Sequence, residues 1–209
     1  MRTTIITKEN QRAMTPQSVL TDLLEGNKRF TDAKNEDVDY LAQVKQTVDG
    51  QFPKAVILSC IDSRVPVELL FDQGVGDVFV ARVAGNFENI DILGSMEYSC
   101  KVAGSKLVLV LGHESCGAVK AACDGVELGN ITEMLSKIKP AVTLASNEVS
   151  GEKNSSNKEF VNKTIIHNVH LTIDRIREKS PILKEMEEKD EIKIIGGVYS
   201  LSTGKVEII

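Results

Sequence analysis

Two short stretches of this sequence carry residue types better suited to chemistry than to packing. In AVILSCIDSR (55–64), an apolar run gives way to Cys60, Asp62 and Arg64. These lie two residues apart, so an extended backbone turns all three the same way. In GHESCGAV (112–119), His113 and Cys116 stand three residues apart, just after the apolar run Lys106 to Leu111. Two thiolates and one imidazole match zinc in softness. Three protein ligands with a fourth position left open are the pattern of a catalytic zinc site. A cysteine at the end of a buried strand is commonly just a small hydrophobe, and a lone His-x-x-Cys has little specificity. The joint occurrence makes the site, because Arg64 suits a bidentate pair with Asp62 that fixes a carboxylate beside the metal. Zinc storage needs no such pair. A closed structural site would need a fourth ligand, and Asp62 is the only local one.

These residues have to be delivered by strands. The strand candidates are Ala55 to Ser59, Asp77 to Arg82, Lys106 to Leu111 and Ile192 to Ile195. Between them lie helical stretches at Val67 to Phe71, at Ile90 to Cys100 and at Ala118 to Ala122, the last extending past Gly129. The stripe of the second is Ile90, Leu93, Glu97 and Cys100. Alternation of this kind implies parallel strands with right-handed crossovers, and ligands of open parallel sheets bind at the carboxyl edge. A polar loop at Ser150 to Asn157 precedes a long helix, Lys158 to Glu178, with a break at Ser180-Pro181. The closing run, with its STG turn, reads as a hairpin that adds an antiparallel edge strand. Ahead of the sheet, Thr15 and Pro16 open an amphipathic helix carrying Val19, Leu20, Leu23 and Leu24, with Gly26 as its stop. The expected fold is therefore α/β, with four mostly parallel strands plus an antiparallel edge strand, flanked by helices. It forms one domain over 1–209, with an N-terminal helical arm over 1–30.

Composition narrows the function classes. Hydrophobic residues make up 42% and charged residues 26%, with a net charge of -5 and no basic block, which argues against nucleic acid as a partner. No apolar run is long enough for a membrane span or a secretory signal, so the expected location is the cytoplasm. Four cysteines, Cys60, Cys100, Cys116 and Cys123, are too few and too scattered for a disulfide framework. Cys100 and Cys123 fall in apolar helical patterns and read as core. His167 and His170 read as a helix surface pair. Gly74, Gly76 and Gly85 miss the dinucleotide fingerprint, because QGVGD opens a strand rather than a helix.

CIDSR followed by HESC resembles the β-class carbonic anhydrase signature, Cys-x-Asp-Ser-Arg followed by His-x-x-Cys. The likeness extends through FDQGVGDVFVARVAGN and LGSMEYSCKVAGSKLVLVLGHESCGAV, over about Gln51 to Ala122. It implies reversible hydration of carbon dioxide to bicarbonate and a proton by zinc-bound hydroxide, with one Zn2+ per chain on Cys60, His113 and Cys116. Asp62 and Arg64 match the catalytic dyad, with Asp62 a fourth ligand in a closed state. Gln51, Phe79 and Tyr98 match substrate-pocket positions of the plant-like subgroup, and Gly117 matches a backbone N–H near the metal. Val67 is expected to join Phe79 and Tyr98 in the apolar wall of the substrate pocket. The resemblance also implies a homo-oligomer, dimer or tetramer, whose pocket draws on both subunits. Relatives regulated by bicarbonate carry a tryptophan near the first zinc strand. This chain has none, and Ile57 stands there, so Arg82 and Tyr199 are not read as remnants of a regulatory anion site. Two rivals remain at this level, namely hydrolysis of a carbon–sulfur heterocumulene at the same metal and a non-catalytic zinc or bicarbonate sensor.

Overall fold

The computed structural model describes residues 1–209. Three helices, α1 (Lys8–Ala13), α2 (Pro16–Thr31) and α3 (Tyr40–Gln46), precede the first strand, β1 (Ala55–Ser59). The chain continues through α4 (Val67–Leu70), β2 (Val78–Arg82) and α5 (Ile90–Glu97) to β3 (Leu107–His113). Next come α6 (Gly117–Cys123), α7 (Gly129–Ser136), α8 (Lys139–Glu148), α9 (Lys158–Lys179) and α10 (Pro181–Glu188). β4 (Lys193–Tyr199) and β5 (Val206–Ile208) close the chain.

The five strands form one sheet in the order β2-β1-β3-β4-β5. β1 is parallel to β2 and β3, β3 is parallel to β4, and only β4 and β5 are antiparallel. This is the expected α/β architecture. β1 and β3 are buried along their whole length because helices cover both faces, which is why both read as unbroken apolar runs. Alternate side chains serve opposite faces. Val56, Leu58, Val108 and Val110 pack with α5, α9 and α10, and Ala55, Ile57, Leu107 and Leu109 pack with α2 and α4. A third apolar cluster, built from α6, α7, α8 and the start of α9, encloses the carboxyl ends of β1 and β3. No helix is long and apolar enough to cross a membrane.

Several boundaries move. β4 starts where expected but runs on through Gly196 and Gly197 to Tyr199, because β3 offers it seven consecutive partners. The helix at Ile90 relaxes into a π turn over Tyr98–Val102, which brings Cys100 inward. Its buried stripe is Ile92, Leu93 and Met96, and Ile90 is 80% exposed, so the expected stripe is rotated. α1 and α3 carry little apolar periodicity and escape a sequence reading. α2 has the expected Thr15 cap, made reciprocal by Ser18, and Val19 and Leu23 are absorbed into the chain's own core.

Gly26 does not stop α2, which continues to Thr31. Its role is close approach, since a Cβ there would lie 1.9 Å from the Phe71 carbonyl oxygen. Backbone cannot swing away as a side chain can, so Gly26→Ala forces the helix off the sheet. We expect it to lower stability by about 2 kcal/mol or more, read as a lower urea midpoint, whereas an ordinary Gly→Ala change inside a helix stabilises.

Candidate active site

Cys60 immediately follows β1, His113 is the last residue of β3, and Cys116 is the N-cap of α6. Since β1 and β3 are adjacent and parallel, their carboxyl ends lie side by side. The Cys60 and Cys116 sulfurs are 3.9 Å apart, far beyond a disulfide bond, and together with a His113 nitrogen they fall within 4.8 Å of one another. A tetrahedral ion with bonds of about 2.3 Å to sulfur holds its sulfurs roughly 3.8 Å apart, so the spacing is that of a ligand set. Cys60, Cys116 and His113 are 4%, 1% and 0% exposed.

The imidazole is set for ligation. His113 Nδ1 lies 2.9 Å from the Glu114 carbonyl oxygen. A carbonyl only accepts, so Nδ1 carries the proton and Nε2 keeps a bare lone pair. Nε2 is buried and has no hydrogen-bond partner. Leaving it so costs about 1–3 kcal/mol, and a cation shared with the two sulfurs removes that cost. The residues present therefore fit a zinc ion.

Charge in the group is shared unequally. The Cys60 thiol is lowered to about 4, chiefly by the hydrogen bond from Cys116 and against the effect of burial. The same bond and burial push Cys116 upward. The pair thus gives up one proton readily and holds the second. Cys100 and Cys123 are core residues as expected, and burial pushes Cys100 up to about 12.

Asp62 stands at the mouth of the group, with Oδ2 3.9 Å from His113 Nε2. Arg64 grips it three ways: Nε donates to Oδ1 at 2.9 Å, Nη2 to Oδ2 at 2.6 Å and the backbone N–H to Oδ1 at 2.9 Å. These bonds from Arg64 hold the carboxyl well below the usual carboxylate range. Both oxygens are engaged, so in this arrangement Asp62 is turned to Arg64 rather than held as a fourth ligand.

Two supports were not singled out by their chemistry in the sequence. Arg82, at the end of β2, donates to the Cys60 carbonyl at 2.8 Å and to the Asp62 carbonyl at 2.6 Å, strapping the loop that carries both. The Gly85 N–H donates to Cys60 Sγ at 3.4 Å. The available signal was register, since Ser59 pairs with Arg82 and VAGN therefore begins beside Cys60. Glu114 points away from the group, accepting from Ser200 Oγ at 3.0 Å and so pinning the β4–β5 turn.

The remaining expected residues fall in different places. Gly117 opens α6 next to Cys116, and a Cβ there would meet nothing within 4 Å. Val67 is fully buried with Val65 and Leu70. Phe79 pairs in register with Val56, roughly 13 Å along the strand from Cys60 at ~3.3 Å per residue. It meets Tyr98 edge to face, with ring centroids 6.2 Å apart, and both share with Gln51 a recess of about 450 Å³. Within one chain, then, Gln51, Phe79 and Tyr98 come together but not at the Cys–His–Cys group. His167 pairs with Glu148 at 2.8 Å, and His170 is exposed beside it on α9.

A mostly parallel α/β sheet with two thiols, an imidazole and a clamped carboxylate at its carboxyl edge defines a protein built around a metal-ligand cluster. A family model described as carbonic anhydrase matches residues 55–206. Carbonic anhydrase 2 of Mycobacterium tuberculosis is 34% identical over 199 residues, covering 91% of each chain. The carbonic anhydrase of Mycolicibacterium smegmatis is 31% identical over 202 residues, covering 92% of this chain and 93% of its own. Among solved structures, a β-carbonic anhydrase of Coccomyxa in complex with acetazolamide superposes with a TM-score of 0.71 at 25% identity, covering 91% of this chain and 86% of that one. One from a study of two tetrameric β-carbonic anhydrases of Sordaria macrospora superposes with a TM-score of 0.72 at 22% identity, covering 92% and 97%. The chain belongs to the β-carbonic anhydrase family, the enzymes that interconvert carbon dioxide and bicarbonate.

Loss of one thiol from the cluster should be felt by the metal, and loss of a core thiol should not. Cys60→Ser and Cys116→Ser are expected to purify with less than a tenth of the wild-type zinc, while Cys100→Ser keeps all of it, as measured by elemental analysis against protein concentration.

Proposed function

We propose that this carbonic anhydrase hydrates carbon dioxide reversibly with one zinc ion per chain on Cys60, His113 and Cys116, and with Asp62 and Arg64 as its catalytic dyad. The observation that carries this reading is the bare, buried His113 Nε2 facing two thiols beneath a carboxylate already locked in place. Zinc supplies the Lewis acidity that makes water a nucleophile near neutral pH.

The chain's own residues supply orientation. Asp62 is ionised and can only accept, so Oδ2 takes a hydrogen bond from the attacking water and turns a lone pair toward the carbon. Arg64 keeps that carboxylate from rotating. The Gly117 N–H, beside Cys116, is offered to a substrate oxygen as negative charge builds on it. The proton released with bicarbonate passes to buffer, since His167 is committed to Glu148 on another face.

A second copy of the chain completes the pocket. Three observations support this. β2 is an edge strand without a partner on its outer side. Beside it, Ile90, Tyr98 and Val102 are 80%, 55% and 71% exposed. Phe79, Ala81, Ile90 and Tyr98 line an apolar recess of about 740 Å³. Pairing there carries Gln51, Phe79 and Tyr98 toward the partner's metal group, with Val67 backing the wall from its own chain. Tetrameric β-carbonic anhydrases of this fold are known from Sordaria macrospora.

Stopped-flow hydration of carbon dioxide tests the chemistry. Asp62→Asn and Arg64→Ala are expected to lower kcat by about 10²-fold or more with zinc content unchanged. Full activity in either would remove the dyad. Because Arg64 lowers the Asp62 pKa, this carboxylate stays charged well below pH 5, so a loss of activity on going from pH 8 to pH 6 cannot come from its protonation. Such a loss should persist unchanged in any Asp62→Glu variant that retains activity.

The assembly has its own test. Ile90→Glu puts a charge into the apolar recess, and we expect a monomer by light scattering that keeps its zinc but loses hydratase activity. An active monomer would show that the pocket is complete within one chain.

A further inference from the structure

α9 carries a polar stripe along a helix that otherwise packs on the sheet. Asn168, Thr172, Arg175 and Lys179 follow one another at steps of four, three and four, so they share one face. That face grips the segment between β2 and α5. Asn168 Nδ2 donates to the Gly85 carbonyl at 2.7 Å. Arg175 Nε donates to both oxygens of the buried Glu88 at 2.9 Å, Lys179 Nζ donates to the same carboxylate at 2.8 Å, and Thr172 accepts from Arg175 at 3.2 Å.

Gly85 needs holding. Its φ is +85°, and a Cβ there would lie 2.5 Å from Ile138 Cδ1, so only glycine fits. Its two flanking peptide planes are set by the turn in which the Asn86 N–H donates to the Val83 carbonyl at 2.9 Å, which Asn168 braces from outside. One of those planes presents the N–H that meets Cys60 Sγ, and the other presents the carbonyl that Asn168 holds. Asn168 is a buried donor committed to that one carbonyl. The residue is 1% exposed, and its Oδ1 is buried without a partner, a cost as large as one hydrogen bond returns. A leucine would avoid that cost but would leave the buried Gly85 carbonyl without the donor that now holds it.

We infer that Asn168 is a positioning residue for the metal site, fixing the Gly85 N–H on the Cys60 sulfur through the Gly85 carbonyl. A hydrogen bond to a ligating sulfur orients it and stabilises the ionised form that a metal requires. It also draws off part of the electron donation by which two thiolates blunt a metal's Lewis acidity. The inference rests on Cys60 being a zinc ligand.

The test uses the whole chain, loaded with zinc or with cobalt(II). Asn168→Leu fills the space and Asn168→Ala empties it, and both remove the donor. Thr164→Val is the control on the same helix, since Thr164 is equally buried but bonds the Phe160 carbonyl of its own helix at 2.8 Å and the core thiol Cys123 at 3.7 Å, neither of which is hydrogen-bonded to a metal ligand. Both Asn168 variants are expected to bind zinc about tenfold more weakly in chelator competition and to shift the thiolate-to-cobalt charge-transfer band. Thr164→Val should leave both readouts unchanged even if its thermal midpoint falls. Wild-type affinity and spectrum in a folded Asn168 variant, or equal losses in Thr164→Val, would overturn the inference while the zinc reading stands. A wild-type chain that binds neither metal would overturn both.

Discussion

Two sulfurs and an unprotonated imidazole nitrogen, packed together out of water, are all acceptors. They cannot satisfy one another, because one shared thiol proton is the only donor among them. Several backbone and side-chain groups near the carboxyl edge of the sheet are arranged around that cluster of acceptors. The Gly85 N–H reaches Cys60, the Glu114 carbonyl accepts a hydrogen bond from His113 Nδ1–H so that the bare Nε2 faces inward, and Arg82 draws in the carbonyls behind Cys60 and Asp62. A cation in the middle turns the arrangement from costly to favourable.

The sheet makes this affordable by separating the tasks. β1 and β3 are braced by apolar contacts on both faces, so the residues that follow them inherit fixed positions. Arg64, by contrast, is half exposed and acts by geometry, its planar fork matching both oxygens of Asp62. A lysine there would keep the charge but lose the second contact. The outer edge of β2 is different again, with aromatic and aliphatic side chains open to solvent and nothing on the chain itself to cover them.

The strands and the cluster were legible because their signals are local. Ala55 to Ser59 and Lys106 to Leu111 are apolar without interruption, and the chemistry follows each run directly. β4 was underread because Gly196 and Gly197 look like a stop, yet strand pairing with β3 overrides their low propensity. Gly26 misled in the same way, since a glycine demanded by a neighbouring carbonyl looks like one that ends a helix. Arg82, Gly85 and Asn168 stayed hidden because their partners lie 20 to 83 residues away in sequence. The type of such a residue says nothing about which distant atom it meets.

The pairing of β3 with β4 has a consequence in time. Cys60, His113 and Cys116 have all been synthesised once residue 116 is made, yet Gly112 and His113 take their partners from Val198 and Tyr199, on the order of 80 residues later. At bacterial or eukaryotic translation rates of about 5–20 residues per second, the edge of β3 that meets β4 stays unpaired for on the order of ten seconds. During that interval His113 sits on a strand bonded along one edge only, so the imidazole side of the ligand set is the last to be braced.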